Sequence, residues 1–258
     1  LDGDGDADIV VADSEDEVLR ILVNDGEGVF TNHETLLAAG RHPSDIIAVD
    51  LDKDGDLDLA TPNSNSDDIS VFINQGNLTF SPQVRYQTGQ KPQYSILAVD
   101  IDGDEFADLV VNDQNDDTIS IFRNNGDGTF TDETTVANLA EPTQLLVGYS
   151  PAFLDYDNDM DLDLFVTNGH FQDIIESLSA AYTYAQQDQL YRNNGSETFS
   201  DVSFSAGDYF QQKRVGRGLS LADYDNDGDT DLFIVNSNQP SVLLENRFGH
   251  RNSWLRIK

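Results

Sequence analysis

Two short signatures recur in step along this chain, and nothing else in it constrains the fold as tightly. The first is rich in aspartate: DLDKDGDLDL starts at residue 50, DIDGDEFADL at 100, DYDNDMDLDL at 155 and DYDNDGDTDL at 223. The opening LDGDGDADI fits the same frame without its first position. The second signature runs from an apolar start through an Asn-Gly or Asp-Gly type turn to a closing Phe: ILVNDGEGVF (21–30), VFINQGNLTF (71–80), IFRNNGDGTF (121–130) and LYRNNGSETF (190–199). Leu22, Phe72, Phe122 and Tyr191 each stand eight residues before that Phe. Two markers sharing a period of about 50 residues identify internal repeats, each a supersecondary unit that cannot bury its apolar face alone.

Each repeat reads as four short strands. In the second they are DIIAVD (45–50), DLATPN (58–63), ISVFIN (69–74) and TFSPQVRY (79–86), with Ile69, Val71 and Ile73 alternating at a strand's period of two. Asn-Gly between apolar runs predicts a type I′ hairpin, and no crossover helix of a parallel sheet has room. The predicted fold class is therefore all-β, a β-propeller built from four-stranded antiparallel blades. The blades are expected at about 1–40, 41–92, 93–145, 146–212 and 213–258 of a single propeller domain. The spacing from loop 155 to loop 223 is 68 residues, and the surplus falls on 169–188. There Ile174, Ile175, Leu178 and Tyr182 recur at helical spacing, predicting a short helix near 171–185, either a marker of the binding face or a cap on an apolar rim.

The aspartate loops follow D-x-D-x-D-G-x-x-D. Positions 1, 3, 5 and 9 offer carboxylates: Asp50, Asp52, Asp54 and Asp58; Asp100, Asp102, Asp104 and Asp108; Asp155, Asp157, Asp159 and Asp163; Asp223, Asp225, Asp227 and Asp231. The first loop retains Asp2, Asp4 and Asp8. Position 7 offers its main-chain carbonyl, from Asp6, Asp56, Phe106, Asp161 and Asp229. An all-oxygen set of this size suits Ca²⁺, about one ion per repeat. An EF-hand would need a Glu at position 12, where Thr61 stands, and flanking helices where strands are expected. The competing reading is a solvated acidic surface, which has no need to keep acids at fixed loop positions. Glu105 and Met160 replace the position-6 glycine, where a left-handed backbone costs such residues roughly 1–2 kcal/mol. Those two sites are expected to be weaker or slightly refolded.

Composition narrows the partners. A formal charge of −34, from 48 acids and 14 bases, leaves no basic footprint for nucleic acid or an anionic membrane surface. With no cysteine, disulfide, thiolate and zinc–sulfur chemistry are excluded. No apolar run approaches a membrane span.

These loops resemble those of the FG-GAP/VCBS repeats, the blades of integrin-α-like propellers. The resemblance implies a seven-bladed ring with structural calcium between the first two strands of each blade. Within it TNGH (167–170), DQLYRNNGSETFSDVS (188–203), GRGLSLADYDNDGDTDLFIVN (216–236) and NSWLRIK (252–258) are similar to the cartilage-acidic-protein (ASPIC/UnbV) type. In that type the last segment opens a separate C-terminal module. The chain thus reads as five repeats of a longer reading frame, the first lacking its opening strand.

Catalytic signatures are sparse. His33, His42, His170 and His250 show no metal-ligand spacing, and there is no G-x-S-x-G elbow or P-loop. Lys213, Arg214 and Arg217 could receive an acidic glycan or compensate the Asp223–Asp231 loop, while Tyr182 and Tyr184 could stack on a sugar or pack beneath the insertion. The leading expectation is a non-enzymatic, secreted, periplasmic or cell-surface calcium propeller that serves adhesion and binds a protein or carbohydrate on one face. The alternatives are the propeller of a polysaccharide lyase or hydrolase, and a scaffold for the C-terminal module. Extracellular calcium modules bind with Kd of ~10⁻⁴–10⁻³ M, too weakly to fill in a cytosol. The sequons at Asn77 and Asn194 fit secretion in a eukaryote.

Overall fold

The computed structural model describes residues 1–33, 37–89, 92–113, 118–139, 146–195 and 198–247. The chain forms two compact units, residues 1–100 with 104–134 and residues 101–103 with 135–258. Both are built of consecutive antiparallel sheets, five in all among the described residues, with almost no helix.

The first unit holds three sheets. The first contains β1 (Ile9–Asp13), β2 (Val18–Asn24) and β3 (Phe30–Asn32) in that order, with β4 (Leu37–Ala38) also on β2. The second is β5 (Ile47–Val49), β6 (Asp58–Asn63), β7 (Asp68–Phe72) and β8 (Val84–Gln87). The third is β9 (Pro92–Val99), β10 (Asp108–Asp113), β11 (Thr118–Asn124) and β12 (Phe130–Asp132). In the second unit, the fourth sheet is β13 (Gly148–Leu154), β14 (Asp163–Asn168), β15 (Gln189–Asn193) and β16 (Phe199–Asp201). The fifth has three described strands: β17 (Gly216–Ala222), β18 (Asp231–Asn236) and β19 (Val242–Leu244).

Register explains the packing. In the second sheet Leu59 lies opposite Phe72 and Ala60 opposite Val71, so the two pairs project to opposite faces. The Leu59–Phe72 face packs on Leu19 and Ile21 of the first sheet. The other face, with Ala60, Ile69 and Val71, packs on Leu109, Val111 and Phe122 of the third. In the second unit, Phe165 and Leu190 of the fourth sheet meet Leu232, Ile234 and Leu244 of the fifth in the same sense. The strands β6, β10 and β14 are buried at all six positions, so their apolar residues run together (Leu59–Ala60, Leu109–Val111, Leu164–Val166) instead of alternating, and the polar residues at their ends are buried as well.

Two expectations change. The insertion contributes a single helical turn, α1 (Ile175–Leu178), with Ile175 buried and Ile174 and Leu178 exposed. The Asn-Gly turns are wider than a two-residue type I′ hairpin: the Gln75 N–H reaches the Thr79 carbonyl and the Asn125 N–H that of Thr129. Their asparagines face inward. Asn124 is buried; its amide nitrogen donates to the carbonyls of Leu51 (2.8 Å) and Ala107 (3.0 Å), and its Oδ1 accepts the Gly126 N–H (2.9 Å). Asn74 does the same with Leu1, Leu57 and Gly76. Asn124→Ala strands those groups and is expected to cost roughly 2–4 kcal/mol in urea unfolding. Asn125→Ala, on the exposed side of the same turn, should stay within about 0.5 kcal/mol.

Candidate metal centres

The aspartate loops join the first two strands of the second to fifth sheets, and the described part of the first sheet starts directly after its loop. In four loops the carboxylates of positions 1, 3 and 9 converge: Asp50, Asp52, Asp58; Asp100, Asp102, Asp108; Asp155, Asp157, Asp163; and Asp223, Asp225, Asp231. Within each triad one oxygen per residue lies within 4.8 Å of the other two. A pocket of three hard anionic oxygens suits a cation such as Ca²⁺.

Position 9 anchors the pocket because it is the first residue of the second strand and is buried. Asp58 accepts the Leu51 N–H (2.7 Å) on one oxygen and the Asn74 N–H (2.8 Å) on the other. Asp163 accepts from Tyr156 (3.0 Å) and Asn193 (2.8 Å), and Asp231 from Tyr224 (3.0 Å) and Asn246 (2.8 Å). Each oxygen keeps a second lone pair for a metal. Burial pushes the Asp58 carboxyl up to about 6 and that of Asp163 to about 7, with the neighbouring loop carboxylates adding to the rise. Burial also raises Asp52 and Asp157, again with neighbouring aspartates contributing. Position 1 receives the loop's own backbone: the Gly55 N–H reaches Asp50 Oδ2 at 3.1 Å, and the Met160 N–H reaches Asp155 Oδ2 at 3.0 Å. Asp50 Oδ1 is buried with no hydrogen-bond donor. An anionic oxygen taken from water without a donor is costly, and a cation held with Asp52 and Asp58 would supply what it lacks. The donor set fits a hard divalent ion.

Other expected ligands lie outside the triads. Position-5 carboxylates turn back on the chain, Asp54 onto the Asp56 N–H (2.9 Å), Asp104 onto Phe106 (2.9 Å), Asp159 onto Asp161 (3.0 Å) and Asp227 onto Asp229 (3.0 Å). In the first loop Asp4 accepts from Asp6 (2.9 Å), Asp2 accepts from Asp4 (3.1 Å), and Asp8 accepts from the Leu1 nitrogen (2.7 Å), the same contact that Leu51, Tyr156 and Tyr224 make with position 9 of their loops.

Position 6 is left-handed in every loop, glycine or not: φ is 94° at Gly5, 98° at Gly55, 72° at Glu105, 78° at Met160 and 101° at Gly228. Met160 is 91% exposed, so its side chain contributes little packing to offset that backbone cost. Met160→Gly is expected to raise stability by up to about 1 kcal/mol in thermal unfolding, the strain relieved exceeding the added freedom of the unfolded chain. Position 4 is left-handed too, at Gly3, Lys53, Gly103, Asn158 and Asn226, which sequence reasoning missed. Its side chain reaches the next loop: Lys53 Nζ lies 3.3 Å from Glu105, and Asn158 donates to Asp229 at 2.8 Å. Sequence reasoning also missed the asparagine at the end of the third strand, whose N–H holds position 9. The signal was present, because Asn24, Asn74 and Asn124 each follow their aspartate by 16 residues.

Among the described contacts the basic cluster does not pair with the Asp223–Asp231 loop. Arg217 donates to the carbonyls of Gly169, Gly216 and His170 and lies 4.0 Å from the Tyr149 ring centre. Arg214 sits over Tyr209, and Lys213 donates to Thr183. His170 is buried, stacked on Phe171 and close to Tyr182, and burial holds its imidazole below the usual value. Tyr182 and Tyr184 are half-buried. His250 and the segment NSWLRIK lie outside the described residues.

The model of the FG-GAP-like repeat matches this chain three times, over residues 1–61, 59–111 and 100–166. No curated protein matches it. Among solved structures, a crystal structure of a protein from Lactobacillus plantarum is 14% identical with a TM-score of 0.56, over 93% of this chain and 69% of that one. The Photorhabdus luminescens Tc holotoxin pore is also 14% identical, with a TM-score of 0.45 over 93% of this chain and 11% of that chain. At such identity the first likeness speaks for the fold alone.

Proposed function

Since this chain belongs to the FG-GAP-like repeat family, we propose that it is a calcium-stapled β-propeller module, exported from the cell, that binds a protein or carbohydrate ligand and takes no catalytic part itself. The observation that carries the metal reading is the convergence of three carboxylates in each of four loops, with Asp50 Oδ1 buried and lacking a donor. Calcium there is structural: each site ties the start of a second strand to the loop before it. The family supports export, as does the weak affinity expected of loops that serve in millimolar calcium. Among the described residues no helix is long and apolar enough to cross a membrane.

Calorimetric titration of the metal-free protein tests the metal reading. About four Ca²⁺ ions should bind per chain, with Mg²⁺ much weaker because it demands smaller octahedral sites. Asp50→Asn with Asp52→Asn should remove one ion and leave the others. Titration without heat or stoichiometry up to several millimolar Ca²⁺ overturns the reading. Export is tested separately by fractionating cells that make the full protein, and recovery in the cytosol alone rejects it.

A further inference from the structure

The chain carries Asn-Gly three times, at 125–126, 168–169 and 194–195. This dipeptide is prone to deamidate, because glycine leaves the nitrogen that follows the asparagine unshielded. Once that nitrogen has lost its proton to base it attacks the asparagine Cγ. The new N–C bond closes a succinimide, and the side-chain nitrogen takes a proton from water and leaves as ammonia. Water then opens the ring to aspartate or isoaspartate, with no change of oxidation state. In all three places the glycine N–H is already engaged. Asn124 Oδ1 accepts it from Gly126 at 2.9 Å, Asn193 Oδ1 from Gly195 at 3.1 Å, and the Val147 carbonyl from Gly169 at 3.0 Å. In the two exposed turns the reacting amides are held as well. Asn125 Nδ2 donates to Thr129 Oγ1 and its Oδ1 accepts from Thr131 Oγ1, both at 3.0 Å, while Asn194 Nδ2 donates to Thr198 Oγ1 (3.1 Å) and Ser200 Oγ (3.0 Å). Exchanging the glycine would not remove the hazard without strain. At Gly126 and Gly195 φ is 83° and 70°, and an added Cβ would meet the Phe106 ring at 3.1 Å or Asp161 Oδ2 at 2.9 Å.

We infer that Asn124 and Asn193 protect the asparagine that follows each of them, by holding the one proton whose loss would start its deamidation. An N–H that donates to a fixed acceptor gives up its proton less readily, since removing it also breaks the hydrogen bond. The acceptor is fixed here because the other end of the same amide is anchored in the interior. Asn124 Nδ2 donates to the Leu51 and Ala107 carbonyls, and Asn193 Nδ2 to those of Ile101 (3.2 Å) and Leu162 (3.3 Å). The same clamp joins Asn24 to Gly26 and Asn74 to Gly76, both at 3.1 Å, with Asp25 or Gln75 between them. It is therefore a fixture of this turn that becomes protective where an asparagine stands in the middle. The inference is independent of the calcium reading and of how the array continues.

Peptide mass spectrometry tests it on the 258-residue chain kept in mildly alkaline buffer with Ca²⁺, folded and in concentrated urea, by following aspartate and isoaspartate at 125 and 194 over weeks. Both asparagines should deamidate at least about tenfold more slowly in the folded chain than in urea. Asn124→Ala should raise the folded rate at Asn125 roughly tenfold and leave Asn194 unchanged, and Asn193→Ala should do the converse. Asn74→Ala is the control. It strips the same kind of contact from the neighbouring turn of the same unit and leaves Asn124 in place, so Asn125 should keep its wild-type rate. Circular dichroism verifies that each variant folds, and Asn193→Ala supplies the comparison in the other unit should Asn124→Ala fail to. Equal acceleration at Asn125 in Asn124→Ala and Asn74→Ala overturns the inference, because overall stability is then what protects. So does an unchanged rate in folded Asn124→Ala, or a folded wild-type chain that deamidates as fast as the chain in urea.

Discussion

Stripping calcium with excess EGTA is expected to lower the thermal unfolding midpoint by roughly 15 °C or more relative to protein in millimolar Ca²⁺. A ligand that binds only the native state at 100 times its Kd adds about 2.7 kcal/mol, and two such sites in one cooperative unit add about 5 kcal/mol. For units of this size each kcal/mol moves the midpoint by roughly 3–6 °C. The loops themselves give the reason for so large a response. Without a cation each triad leaves three carboxylates within 4.8 Å of one another around a buried position-9 acid, and their repulsion is part of the native state. The chain forms two compact units, so calorimetry should be fitted to two transitions, both moved by calcium. A midpoint that follows total salt whatever the cation would make these loops an acidic surface adapted to its solvent.

The second large effect is a change of sign. In metal-free protein, stability should fall as pH rises from about 4 to about 7; in saturating Ca²⁺ it should rise over the same range. Asp58 and Asp163 keep their protons in the fold up to about 6 and about 7, against 3.8 unfolded. Between those values the unfolded chain has released protons that the native state retains, so stability declines with pH. The stabilisation from these two acids is full below the unfolded value and lost as each folded value is passed. A bound cation pulls the same carboxyls below their unfolded value and reverses the slope. Urea midpoints at pH 4.5, 5.5 and 7.0, on dialysed protein with and without Ca²⁺, measure both slopes. General repulsion among 48 acids also weakens the metal-free protein as pH rises. Asp58→Asn and Asp163→Asn separate the two causes, since they should flatten the metal-free slope while barely altering net charge. Parallel slopes with and without calcium would remove these acids from any metal site.

Legibility in the sequence followed the range of the forces involved. The second strand of the second repeat was read to the residue, 58–63, because the aspartate loop punctuates its start. The left-handed backbone at Glu105 and Met160 was also legible, since the glycine of the other loops announces the conformation. The turn after Asn74 was misread. An Asn/Gly turn between apolar runs carries a local preference for a tight hairpin, whereas the Asn74 amide also reaches the Leu57 and Leu1 carbonyls, 17 and 73 residues away. Lys53 gave no warning of its left-handed backbone, because lysine has no preference for it. In the insertion the spacing of Ile174, Ile175 and Leu178 foretold a helical turn, but periodicity alone cannot say which side a neighbour covers, and Ile174 and Leu178 face outward. At the aspartate loops the sequence disclosed which residues could meet and not which would. Positions 1, 3 and 9 converge in four loops, while the position-5 carboxylate caps its own turn through one oxygen.

The asparagine that closes each turn has a consequence for how ions are taken up. Asn124 holds Asp108 of its own loop through its backbone N–H and, through its side chain, the carbonyl of Leu51, which stands between Asp50 and Asp52 of the loop before. Asn246 links Asp231 to Tyr156 in the same way. One side chain therefore ties one candidate pocket to its neighbour. On the proposed calcium reading, filling the first is expected to prepay part of the ordering that the second requires, so a calcium titration should give an occupancy curve steeper than that of independent sites. Coupling of this kind is expected to hold the form across small fluctuations in calcium and to release it over a narrow range of concentration.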